Sequence, residues 1–137
     1  MRRTLSGILV LAAIMSSGCD NAIENATTPT TPAPTVTETF TGNINVNGAA
    51  THTFVITAAG TVTATVTEIT PVNTVVVGFS LGTWNGSSCQ AVISKDNAVQ
   101  TNVLTGTAAG QGLLCTRLYD VGKLTEAIGY TLTVVHP

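Results

Sequence analysis

The chain has 137 residues and carries little charge: five Lys and Arg stand against seven Asp and Glu, a net charge of −2 at neutral pH. That length fits one domain with accessory segments, and the absence of a basic stripe excludes binding to a nucleic-acid backbone. The two histidines, His52 and His136, lie far apart with no Cys or acidic neighbour at ligand spacing. A His-rich metal site is therefore excluded, and His-based catalysis has no support.

Residues 1–18 read as a secretory signal peptide, helical in its apolar part. Arg2 and Arg3 supply the positive start, residues 5–15 (LSGILVLAAIM) the apolar run, and Ser16, Ser17 and Gly18 the small residues a peptidase pocket needs. The uncharged stretch is shorter than the roughly 20 residues of a membrane-spanning helix. Cys19 follows at once, and Ser16-Ser17-Gly18-Cys19 resembles the lipobox of bacterial lipoproteins. That resemblance implies that Cys19 becomes the acylated first residue of the mature chain, held at a membrane through its lipid. Several acyl chains on one Cys anchor stably where a single short chain binds marginally. The mature chain keeps three positive and seven negative side chains, a net −4. This suits solubility rather than docking on anionic lipid.

Residues 19–37 read as a disordered linker behind the lipidated Cys. Residues 20–36 hold three Pro and five Thr with little apolar content, too little to offset the entropy of ordering. Thr-Pro alternation favours extended polyproline II, and some 17 such residues would reach roughly 50 Å.

Residues 38–137 then form the domain, long enough for one modest core. Thr is the commonest residue at 26 copies, and there are 16 Val. Branched Cβ atoms are stiff in helices and fit a pleated surface. Apolar residues alternate in runs: Phe40, Ile44 and Val46; His52, Phe54 and Ile56; Val62, Ala64 and Val66 against Thr61, Thr63, Thr65 and Thr67; Val75, Val77, Phe79 and Leu81; and Ile128, Tyr130, Leu132 and Val134. These are the period-2 stripes of half-buried strands. Turn signals separate them at Asn47-Gly48, Ala59-Gly60, Pro71-Val72-Asn73, Asn85-Gly86-Ser87, Asp96-Asn97, Ala109-Gly110 and Asp120-Val121-Gly122. About eight evenly spaced strands predict an all-β protein, a single antiparallel β-sandwich or jelly roll, with no helix after the signal. With Cys19 lipidated, Cys89 and Cys115 remain as a pair. An oxidising exported compartment predicts a disulfide between them.

Thr39-Phe40-Thr41-Gly42, Ala50-Thr51-His52-Thr53-Phe54, the 60–66 run GTVTATV, the 114–120 run LCTRLYD and the closing Tyr130-Thr131-Leu132-Thr133-Val134 occur in this order. In that order and spacing the domain resembles the bacterial pre-peptidase C-terminal family of small secreted β-sandwiches. The resemblance implies a surface or secreted setting without catalysis. Some relatives bind extracellular polymers. Others bind calcium near the domain's N-terminal edge through an acidic cluster, where here Glu38 stands alone among threonines.

Trp84 is the only Trp, placed by the pattern in a loop between strands, Gly82-Thr83-Trp84-Asn85-Gly86. It either caps one end of an aromatic-poor core, the commoner arrangement, or stacks on a sugar ring beside the polar Asn85, Ser87, Ser88 and Gln90. Asp96, Asp120 and Glu126 fall in predicted loops. Calcium needs several carboxylates among 6 to 8 oxygen ligands, and Asp96 and Asp120 read better as turn formers. No metal or other cofactor is expected. Arg117, mid-strand among apolar neighbours, is expected to pair with a carboxylate or snorkel to the edge, and His136 to fray near the C-terminus. No nucleophile-elbow motif and no complementary titratable pair can be assembled. The sequence therefore points to a non-catalytic cell-envelope lipoprotein that binds an extracellular polysaccharide or an envelope protein. A purely structural envelope or matrix component is the alternative, and an accessory domain of a secreted hydrolase system the last.

Overall fold

Eight strands account for most of the domain: β1 (Val36–Ile44), β2 (Ala49–Ile56), β3 (Gly60–Thr70), β4 (Val77–Trp84), β5 (Cys89–Ala98), β6 (Val103–Ala108), β7 (Gly112–Tyr119) and β8 (Ile128–His136). The structure, a computed structural model, describes residues 31–137. The expected signal peptide, Cys19 and the expected linker as far as residue 30 lie outside the described residues. Among the described residues there is no helix.

The strands form two antiparallel four-stranded sheets, ordered β1-β8-β3-β6 and β2-β7-β4-β5. Pairing 1 with 8, 3 with 6, 2 with 7 and 4 with 5 is the jelly-roll order, two sheets linked by Greek-key connections. The predicted stripes meet between the sheets. Leu132 and Val134 of β8, Val62, Ala64 and Val66 of β3, Phe54 and Ile56 of β2, and Phe79 and Leu81 of β4 are all buried there.

Strand β3 departs from strict alternation. Its pairing with β8 shifts between Val66 and Glu68, so the extra residue reverses the parity. Ile69 turns into the core and Glu68 outward. This is what a β-bulge does to a strand. Strand β4 is buried on both faces over residues 77–82. Its outward positions are Gly78, Ser80 and Gly82, and larger neighbours cover them. A Cβ on Gly78 would overlap the Tyr119 ring, and one on Gly82 the Gln90 carbonyl.

Three local expectations are corrected. Asp96-Asn97 is no turn but part of β5. The reversal falls at residues 99–102, where the Asn102 N–H donates to the Val99 carbonyl at 3.1 Å and Thr101 takes a φ of 74°. Val46 lies beyond the end of β1 and is exposed. Val75 precedes β4 and packs only partly against the core.

Candidate binding site

Strand β7 lies between β2 and β4, and its register aligns Thr51, Arg117 and Ser80 in one row across the sheet. Trp84 ends β4, directly opposite Cys89 at the start of β5. These placements open a groove of about 320 Å³, lined by Ala49, Thr51, Trp84, Ser87, Ser88, Cys89 and Arg117. Trp84 is thus a strand residue rather than a loop residue. It is half-buried and absent from the buried core.

The turn after Trp84 is held by its own side chains. Asn85 Oδ1 accepts the Ser87 and Ser88 backbone N–H groups at 3.0 and 2.8 Å. Gln90 Nε2 donates to Ser88 Oγ at 2.8 Å. Asn85 and Gln90 therefore shape the turn, while Ser87 and Ser88 reach the groove. Cys89 and Cys115 are joined in a disulfide with their Cα atoms 5.7 Å apart, within bridging range. Cys115 is fully buried beneath the groove-lining Cys89.

Among the described residues, Arg117 finds no carboxylate. The contact at ion-pair distance among the described residues joins the His136 ring to Glu38. The guanidinium of Arg117 is instead exposed and stands 5.5 Å from the Tyr119 ring centroid, in the range of a cation–π contact. Sequence reasoning missed its company with Trp84. Thirty-three positions separate the two, and only the sheet register brings them together.

The remaining candidates are structural. Asp96 accepts a hydrogen bond from the Tyr119 hydroxyl. That bond holds the Tyr119 proton above its usual range, with burial adding to the effect. Asp120 is a turn former: Oδ2 accepts the Asn47 N–H, and Oδ1 accepts those of Gly122, Lys123 and Leu124 at 2.8–3.1 Å. These donors hold its carboxyl below the ordinary value. Glu126 lies exposed in the β7–β8 loop, and among the described residues no acidic, His or Cys group gathers at a metal-holding spacing.

His136 corrects the expected frayed end. It is 2% exposed; its Nε2 bonds Glu38 Oε1 at 2.9 Å and its ring packs on Phe54. His52 stacks on Phe40 at 4.7 Å and bonds the Tyr130 hydroxyl through Nε2 at 2.7 Å. Burial pushes the His52 ring below its usual protonation range and Tyr130 above its own.

No family model matches the chain, the pre-peptidase C-terminal family included, and no curated protein sequence matches it. Among solved structures, the fold is similar to that of Aeromonas hydrophila PliG. PliG is a periplasmic inhibitor of g-type lysozyme. The two share 16% identity at a TM-score of 0.52, over 72% of this chain and 83% of that one. The likeness is one of fold alone.

Proposed function

We propose that this chain is a non-catalytic cell-envelope lipoprotein, anchored through Cys19, whose sandwich binds an extracellular polymer of acidic sugars in the Trp84–Arg117 groove. One observation carries the reading: a half-buried indole and a guanidinium that pairs with no carboxylate among the described residues line the same open groove, with the hydroxyls of Thr51, Ser87 and Ser88 around them. An indole face stacks on sugar rings, contributing about 0.5–1.5 kcal/mol beyond burial. A hydrogen bond to a charged group contributes about 1.5–3 kcal/mol. Together these reach about the millimolar range, so useful binding rests on many anchored copies engaging one polymer.

Arg117→Gln and Trp84→Phe test the groove. Retention on an immobilised polyuronate should fall for both and become insensitive to salt for Arg117→Gln. Wild-type retention by both variants would sink the polymer reading. Release from membrane fractions by Cys19→Ser tests the anchor separately.

The fold likeness to PliG favours a second reading, a protein partner in place of a polymer. Inhibition of a purified g-type lysozyme by the chain, unaffected by the two groove variants, would establish it.

A further inference from the structure

Two turns carry the dipeptide Asn-Gly: Asn47-Gly48 between β1 and β2, and Asn85-Gly86 between β4 and β5. Every other Asn among the described residues precedes a residue with a side chain. An Asn side chain can be attacked by the backbone nitrogen of the next residue, and glycine alone leaves that nitrogen without a Cβ beside it. The two turns share this chemistry and differ in what surrounds it.

At Asn47-Gly48 the nitrogen is engaged. The Gly48 N–H donates to the Asn45 carbonyl at 2.8 Å, and the Gly48 carbonyl accepts the Asp120 N–H at 2.9 Å. The Asn47 N–H donates to Asp120 Oδ2 at 2.8 Å, with φ at 59°. The Asn45 backbone walls the free face of Gly48, 2.8 Å from where a Cβ would stand. At Asn85-Gly86 the reverse holds. Among the described residues no group accepts the Gly86 N–H. Both residues are exposed, and a Cβ added to Gly86 would meet nothing. The Asn85 side chain folds forward along the turn, where its Oδ1 accepts the Ser87 and Ser88 N–H groups at 3.0 and 2.8 Å. Backbone donors at such distances stabilise an oxyanion. Nδ2 donates to Ser88 Oγ at 3.2 Å.

We propose that Asn85-Gly86 is a self-modification site: in the folded chain Asn85 loses its amide, and the new carboxylate, set between the groove residues Trp84 and Ser87, weakens the groove toward acidic ligands. The Gly86 nitrogen attacks Asn85 Cγ, and the carbonyl electron pair moves onto Oδ1, where the two N–H groups hold it. The pair returns, the Cγ–Nδ2 bond breaks, and ammonia leaves with the proton given up by the Gly86 nitrogen. Water, the one co-reactant, then opens the five-membered imide. Opening at Cγ gives Asp; opening at the main-chain carbonyl gives isoaspartate, with an extra methylene in the backbone. Either product is an anion where the amide was neutral, and like charge opposes a polyanion. Isoaspartate also lengthens the turn that brings Ser87 and Ser88 to the groove. The modification stands without the polymer reading; the loss of binding rests on it.

The test holds the full exported chain at mildly alkaline pH, either folded or unfolded in guanidinium chloride, then reduces it and cleaves at aromatic residues. Phe54 and Phe79 separate the two sites. Unfolded, both sites should convert at similar rates. Folded, Asn85 should convert at least tenfold faster than Asn47, giving Asp and isoaspartate of equal mass. Equal rates in the folded chain, or conversion of Asn47 first, would overturn the proposal. So would an Asn85 that converts more than tenfold slower folded than unfolded. Anion exchange then separates modified from fresh chain, and the modified fraction should be held at least twofold less on immobilised polyuronate. Equal retention of the two fractions would overturn the effect on the groove. A fresh chain that is not retained would overturn the polymer reading and that effect with it, and the conversion rates alone would then decide the site.

Discussion

Replacing both Cys89 and Cys115 by Ala removes a cross-link between residues 26 positions apart. In the chain-entropy treatment a loop of that length confines the unfolded ensemble by about 3.5 kcal/mol at 25 °C. Set against a total stability of about 5–15 kcal/mol, this is a quarter or more of what holds the domain folded. For a domain of this size each kcal/mol moves the midpoint by about 4–8 °C, so melting should fall by roughly 14–28 °C. Alanine suits the test because Cys115 is fully buried and a serine hydroxyl there would add the cost of a polar group without a partner. Thermal melting and urea titration, both followed by circular dichroism, give the two readouts. Because the freed chain expands on unfolding, the urea m-value should rise as the midpoint falls. A variant that melts within about 4 °C of the parent, with an unchanged m-value, would refute the reasoning. Loop confinement would then contribute little, and packing around β4 would carry the stability.

Gly78→Ala should cost about 1–3 kcal/mol through overpacking against the Tyr119 ring. Melting recovered in part by adding Tyr119→Ser would confirm the clash as the cause. His52 is expected to titrate below 6.5 in the folded chain because burial disfavours its cation. Its folded value being depressed, its contribution is complete above about pH 6.5 and lost as the pH falls below it; ring proton shifts give the midpoint, and a value at or above 6.5 would contradict the assignment.

The stripes of β2, β3 and β8 were legible because each has one face in the core and one in solvent, so alternation reports burial directly. The same logic breaks where an outer face is covered. Gly78, Ser80 and Gly82 look like weak strand positions until Tyr119 and Gln90 are seen lying over them. Asp96 carries a turn propensity that is local, whereas the Tyr119 hydroxyl that occupies it within β5 comes from another strand. The Val66/Glu68 bulge leaves no composition mark, so Ile69 was absent from the expected stripe. The candidate site was half legible. Rarity singles out Trp84, but Arg117 joins it only through the register of β7 beside β4.

The pairing of Val36 with His136 has a mechanical consequence. Residues 31–35 lead into the domain at the very end of the β1–β8 ladder, beside the C-terminal Pro137. A pull transmitted through those residues meets the ladder at its tip and opens it one rung at a time, like a zipper, instead of shearing all nine β1 positions at once. The first side-chain latch on that path is the Glu38–His136 contact, backed by Phe54. A domain loaded through residues 31–35 yields first at β1, while the disulfide ties β5 to β7 in the other sheet, where the groove lies.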